Sequence, residues 1–199
     1  MSASSTAPIV VVLGGCNGAG KTTIAQDVLL EGLHVDEFLN ADMIARGLSP
    51  FHPESVALSA GQLLLRRMDE LIQARISFGV ESTLAGRSLA GRLRAMVKLG
   101  YDVHLTFVYL ESVELAVGRV RSRVAQGGHR VPEATIRRRY FEGMRNFFTI
   151  YRPLATTWQV YDNSPGRNPK LVAIGKGPLV DKVPIPETWA KLQSQAGVA

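Results

Sequence analysis

The sequence predicts an α/β fold, a mostly parallel sheet with helices on both faces. Three observations carry this. Apolar, β-branched runs recur along the chain, and segments of helical spacing separate them. A glycine-rich loop, "GGCNGAGKTT" (residues 14–23), stands between the first such run and the first such helix. The chain has 199 residues, 46% hydrophobic and 20% charged, which suits one globular domain with a proper core.

The elements follow in order. "PIVVVLG" (8–14) predicts strand one, and helix one starts near Gly20. "LHVDEFLN" (33–40) predicts a short second strand ending at Asn40. "SVALSAGQLLLRRMDELIQARIS" (55–77) reads as a long amphipathic helix, with Leu58, Leu64, Leu65, Met68, Leu71 and Ile72 on roughly one face. "FGVES" (78–82) predicts a short buried strand, and "SLAGRLRAMVKLG" (88–100) a helix that Gly100 ends. "DVHLTFVYL" (102–110) is the second strong strand, followed by the helix "VELAVGRVRSRVAQ" (113–126). A basic loop, "GGHRVPEAT" (127–135), leads into "IRRRYFEGMRNFFTIYRPL" (136–154). "TWQVYDNS" (157–164) predicts a strand ending in a turn, and "PKLVAIGKG" (169–177) one more strand at a sheet edge. The tail "ETWAKLQSQAGVA" (187–199) predicts a short helix. This gives one domain over 1–199, with 1–7 a flexible N-terminus, about 119–150 a lid with its flanking helices, and about 178–199 a C-terminal tail.

The net charge of +6 favours anionic ligands, nucleic acid included, without choosing among them. Cys16 is the only cysteine, so no disulfide forms within the chain, and a reducing cytosol fits. It is either a small side chain in a tight loop or a reactive thiol. "MSASSTAP" carries no basic region leading into a long apolar one, and the apolar runs are too short to span a bilayer. A cytoplasmic protein without membrane contact is expected.

In open parallel sheets, ligands bind beyond the carboxyl ends of the strands. Lys21, Asp42, Glu81 and Asp162 all lie at or just after predicted strand ends, where they can converge on one crevice. The loop after strand one has the G-x-x-x-x-G-K-[ST] pattern of a nucleotide-binding P-loop. Gly15, Asn17, Gly18, Ala19, Gly20, Lys21, Thr22 and Thr23 would cradle the phosphates of ATP or GTP. Lys21 can reach the β- and γ-phosphates, and the Thr22 hydroxyl can ligate Mg²⁺. Asp42 suits a base that accepts the proton of an attacking hydroxyl. It equally suits an N-cap for "MIARG". Glu81, Ser82 and Thr83 can hydrogen-bond a polyhydroxylated acceptor, although Ser82 or Thr83 can instead cap a helix. Arg119, Arg123, Arg130, Arg137, Arg138 and Arg139 crowd one helix–loop–helix. They read as a basic lid whose arginines stabilise a γ-phosphate, as a solvated face, or as a nucleic-acid patch. His129, in the same loop, reads as catalytic or as a hinge hydrogen bond. The chain has no N-K-x-D for guanine, and "LTFVYLES" ends in Glu111 without a preceding Asp, which argues against a GTPase and a motor ATPase.

Taken together, "GGCNGAGKTT", "NADMIA", "FGVESTLAG", "GGHRVPEATIRRRY" and "VYDNS" resemble the zeta-toxin family of P-loop kinases, in particular its short stand-alone bacterial members. The resemblance spans about residues 8–176. It implies an ATP- or GTP-dependent kinase with a small-molecule acceptor. In the characterised toxins that acceptor is the nucleotide sugar UDP-N-acetylglucosamine, phosphorylated on its amino sugar. It also implies an antitoxin partner, and it argues against nucleic acid. By position, Lys21 matches the family's phosphate-loop lysine and Asp42 its catalytic aspartate. Glu81 and Thr83 match contacts to the sugar nucleotide, and Arg123 and Arg139 match contacts to the γ-phosphate. The long toxins carry an arginine soon after the glutamate–threonine pair, whereas here the nearest is Arg87.

Overall fold

The computed structural model describes residues 7–26, 33, 35–128, 130–164 and 168–198. The N-terminus read as flexible, the second half of the first helical segment and His129 lie largely or wholly outside these residues. Seven strands form one sheet in the order β2-β3-β1-β4-β5-β6-β7, with β1 at Ile9–Gly14, β2 at Glu37–Leu39, β3 at Phe78–Ser82, β4 at Asp102–Tyr109, β5 at Thr157–Asp162, β6 at Lys170–Lys176 and β7 at Leu179–Lys182. The first five are parallel to their neighbours, and β6 and β7 are antiparallel additions. β1 lies between β3 and β4, and Val10, Val11, Val12 and Leu13 are all fully buried. A continuous apolar run is what a central parallel strand with both faces covered requires.

The helices are α1 (Lys21–Gln26), α2 (Ala41–Leu48), α3 (Ala57–Gln73), α4 (Ser88–Lys98), α5 (Val113–Ala125), α6 (Glu133–Asn146) and α7 (Pro186–Ala196). The larger core cluster joins Val10 and Val12 of β1 to Leu64 and Met68 of α3, Leu93 and Met96 of α4, Tyr140 of α6 and Leu192 of α7. On the opposite face, α1 packs Ala25 against Val11 and Leu13. The predicted elements are present, with additions at short segments. "ADMIARGL" forms α2, which the sequence reading met only as a possible capped stretch. The segment after α6 widens at Phe147–Tyr151 into a π turn, and the C-terminal tail supplies β7 at the sheet edge. The tail helix is held by aromatic packing: Trp189 stacks on Trp158 at 5.7 Å and an interplanar angle of 9°.

One stretch of the sheet departs from an apolar-only interior. His104 Nδ1 lies 2.6 Å from Thr157 Oγ1, and Gln159 Nε2 donates to Thr106 Oγ1 at 2.9 Å. These side chains form a polar row on one face of β4 and β5 and line a cavity of about 530 Å³. Alternation in "DVHLTFVYL" records this: His104 and Thr106 point one way, Val103, Leu105 and Phe107 the other.

Candidate functional site

β1 delivers the chain into the loop Gly15–Gly20, and α1 begins at Lys21. The loop has no room for side chains at its tightest points. Gly20 has φ +89°, and a Cβ there would sit 2.4 Å from Asn163 Nδ2. Gly15 and Gly18 also have positive φ. Ala19 is fully buried and Asn17 nearly so, while Thr22 and Thr23 are exposed on the first turn of α1. The Lys21 side chain is 5% exposed, and its Nζ donates to the Cys16 carbonyl at 3.0 Å. Cys16 itself is buried, and that burial pushes its thiol up to about 11. A buried thiol raised in this way is a poor nucleophile, which favours the small-side-chain reading of Cys16.

Glu81, on β3 beside β1, is the hub of the site. Its Oε1 lies 3.4 Å from Lys21 Nζ. Its Oε2 accepts from Thr22 Oγ1 at 2.7 Å and from Asn40 Nδ2 at 2.8 Å. Asn40 is 5% exposed and is the N-cap of α2: its Oδ1 accepts from the backbone N–H groups of Asp42 (2.8 Å) and Met43 (3.1 Å). Asn40 thus does the capping that the sequence left open for Asp42. Asp42 sits in the first turn with its carboxylate 43% exposed, and Arg123 Nη1 approaches Asp42 Oδ2 at 4.0 Å.

Arg139 on α6 reaches across to the phosphate loop, where its Nη1 donates to Asn17 Oδ1 at 3.2 Å. Burial lowers its affinity for the proton, and neighbouring Arg138 adds to this, while Asp42 opposes it. Such a guanidinium gains from an anion placed against it. α6 is seated firmly. A Cβ at Gly143 would come 2.5 Å from the Thr83 carbonyl oxygen, and Asn146 Nδ2 donates to the carbonyls of Leu84 (2.8 Å) and Ala85 (3.0 Å). The loop after β3 is thereby fixed against the helix that carries Arg139.

Asn17, Lys21, Asp42, Glu81, Ser82, Thr83 and Arg139, seven of the residues singled out in the sequence, line one cavity of about 190 Å³ together with Asn40 and Ala41. Arg123 stands beside it through Asp42. Ser82 Oγ accepts from the Leu84 N–H at 3.1 Å and so shapes a turn; α4 starts only at Ser88, so neither Ser82 nor Thr83 caps it. Asp162 does not join the crevice: its Oδ1 accepts from the Ser164 N–H and hydroxyl, closing its own turn. The arginines divide. Arg121 pairs with Glu133, Arg137 with Glu133 and Glu114, and Arg138 with Glu142, all on the surface. Arg119 donates to the carbonyls of Asn163 (2.8 Å) and Ser164 (2.9 Å).

Two residues of the site escaped sequence reasoning as individuals, Asn40 and Asn163, although the stretches "NADMIA" and "VYDNS" contain them. Asn163 is 6% exposed, and its Nδ2 donates to the Ala19 carbonyl at 2.8 Å, tying the end of β5 to the phosphate loop.

Residues 2–165 match the Zeta toxin family. An uncharacterised protein of Haemophilus influenzae (strain ATCC 51907 / DSM 11121 / KW20 / Rd) is 32% identical over 129 residues, 63% of this chain and 88% of that one. Among solved structures, the AvrRxo1-ORF1:AvrRxo1-ORF2 complex with sulphate ions superposes with a TM-score of 0.74 at 18% identity, covering 96% of this chain. This chain spans only 65% of that longer one. The same complex solved with ATP gives a TM-score of 0.73 at 18% identity, with 96% of this chain and 65% of that one covered. The PezAT chromosomal toxin–antitoxin system of Streptococcus pneumoniae gives 0.67 at 18% identity, over 96% of this chain and 79% of that one. At such identities the structures speak to the fold, while the match over most of the sequence fixes the family. The chain belongs to the Zeta toxin family.

Proposed function

We propose that this chain is a small-molecule kinase that transfers the γ-phosphate of ATP, or of GTP, to a hydroxyl group. The observation that carries the reading is the cluster of Lys21, Glu81, Asp42 and Arg139 around one cavity beyond the carboxyl ends of β1 and β3. The acceptor oxygen forms a bond to the γ-phosphorus as the bond to the β,γ-bridging oxygen breaks, and the nucleoside diphosphate leaves with the electron pair. Asp42 orients the hydroxyl and takes its proton. Lys21 spreads its charge over the β- and γ-phosphates, and Arg139 and Arg123 face the γ-phosphate oxygens as charge rearranges. The loop Gly15–Gly20 presents backbone N–H groups to the phosphates, and Thr23 continues the helix behind it. Ser82 and Thr83 contact the acceptor, and Glu81 joins that side of the site to the phosphate loop.

Mg²⁺ fits the Thr22 hydroxyl beside the Glu81 carboxylate, two hard oxygen donors 2.7 Å apart, and would supply charge neutralisation between the phosphates. UDP-N-acetylglucosamine is the acceptor to try first, because the family resemblance implies it. An antitoxin partner belongs to the same proposal, supported by the PezAT structure's description as a toxin–antitoxin system. A nucleic-acid module gains no support from the lid, since Arg121, Arg137 and Arg138 are each paired with carboxylates.

The test is label transfer from γ-labelled ATP to UDP-N-acetylglucosamine and to a panel of sugars and alcohols. Lys21→Ala should abolish transfer, because losing such a group removes several kcal/mol, roughly 3–4, of transition-state stabilisation. Near-normal transfer by this variant would remove the phosphate-loop reading.

A further inference from the structure

A second cavity opens directly beside the first. It holds about 390 Å³ and lies between α3, the end of β3 and the start of α4. The two cavities share Ala41, Glu81 and Ser82 in their walls and so adjoin. Their chemistry differs sharply. The first is lined by charged and amide groups. The second is lined by Leu58, Leu64, Leu65, Met68 and Leu89, with Gln62, Ser82 and Ser88 as its neutral polar groups. Leu58 is 79% exposed and Leu65 38% exposed, whereas Ala60, Leu64, Met68 and Leu71 of the same helix are buried. Among the described residues, no lysine or arginine lines this cavity, and Glu81 is its only charged residue. Arg87, the residue nearest in sequence to the arginine of the long toxins, lines neither cavity.

Resting on the kinase reading above, we infer that the acceptor is an amphiphilic hydroxyl compound whose uncharged, apolar part lies in the groove between α3 and α4. Its hydroxyl end reaches Asp42 in the polar cavity. A diphosphate lying in the groove itself would meet Glu81, whose partner Lys21 stands on the polar-cavity side, with no lysine or arginine among the described groove residues to offset the added charge. An alkyl or aryl group meets the opposite conditions, because it covers leucine side chains that otherwise face water.

Gly61 offers a clean probe. It lies on α3 in the groove wall, and a Cβ built there meets nothing within 4 Å. Gly61→Leu therefore starts from open space at its Cβ, places an apolar side chain in the groove wall and raises helix propensity. Gly91→Leu on α4 is the matched control, since a Cβ at Gly91 also meets nothing within 4 Å and the residue lines neither cavity.

The experiment measures binding of methyl, butyl and hexyl β-glucoside by calorimetry in the presence of a non-hydrolysable ATP analogue, with UDP-N-acetylglucosamine as comparison. Affinity should rise along the series, by up to about fourfold for each methylene that enters the groove. Gly61→Leu should erase the gain for the hexyl compound by at least about tenfold and spare the methyl one. Gly91→Leu should keep the full series. Affinity that stays flat with chain length overturns the inference. So does tighter binding of UDP-N-acetylglucosamine than of hexyl glucoside, undisturbed by Gly61→Leu. Label transfer is read in parallel. If chain-length dependence is present and no compound of any class accepts phosphate, the groove's chemistry is upheld and the kinase reading fails.

Discussion

Asn40 should be worth more to this protein than any single surface charge. Its Oδ1 holds two N–H groups of α2, and its Nδ2 donates to Glu81 at 2.8 Å. Asn40→Ala removes both functions. Losing an N-cap costs about 1 kcal/mol, and losing a hydrogen bond to a charged group about 1.5–3 kcal/mol. Glu81 keeps Lys21 and Thr22, so the lower half of that range applies, giving a loss of about 3 kcal/mol. In a chain of this size that lowers the Tm by about 6–12 °C. Asn40→Asp separates the two functions. It keeps the cap but sets a second carboxylate against Glu81. It should therefore be less stable than the parent although its α2 cap is intact. The assay is thermal and guanidinium unfolding of both variants at neutral pH. A loss below about 0.5 kcal/mol for Asn40→Ala, or an Asn40→Asp variant as stable as the parent at neutral pH, would refute the assignment of Asn40 as the link between α2 and Glu81.

Further outcomes follow from the same geometry. Arg139→Ala and Arg123→Ala should each lower kcat, by about a hundredfold, more than they weaken nucleotide binding, as steady-state kinetics beside nucleotide titration will show. Arg121→Ala, which breaks only an exposed pair with Glu133, should leave both nearly unchanged. Cys16 should react with a thiol reagent at pH 8 roughly a hundredfold more slowly in the native chain than in denaturant, because its thiol is raised from 9.0 to about 11 by burial. A native rate equal to the denatured one would place the thiol outside the core.

The parts of the fold and site that the sequence made legible are those built from local rules. β1, the glycine loop and Lys21 are contiguous, and their meaning depends on spacing alone. Lys21, Asp42 and Glu81 each follow a strand, and parallel topology then brings them to one end of the sheet. What stayed hidden depends on partners far away in the chain. Asn40 meets Glu81 across 41 positions, and Asn163 meets Ala19 across 144. No periodicity encodes such pairs. The expectation that Asp162 joins the crevice came from the same strand-end rule, but the local turn with Ser164 claimed its carboxylate instead. The arginines of the helix–loop–helix look alike in residue pattern; in the fold, Glu114, Glu133 and Glu142 pair Arg137 and Arg138 on the surface, Arg119 donates to the Asn163 and Ser164 carbonyls, and Arg123 and Arg139 face Asp42 and Asn17. β7 went unread as a strand because all four of its residues are exposed, leaving no alternation to detect.

The central claim is that Asp42, freed from capping by Asn40, serves phosphate transfer to a hydroxyl compound. Its most direct test incubates the protein and Asp42→Asn with γ-labelled ATP and a bacterial metabolite extract, then separates the labelled small molecules. The account predicts a new labelled compound with the parent protein, at least about a hundredfold less of it with Asp42→Asn, and equal ATP binding by both. ATP binding without any labelled acceptor, or equal labelling by the two proteins, would contradict it.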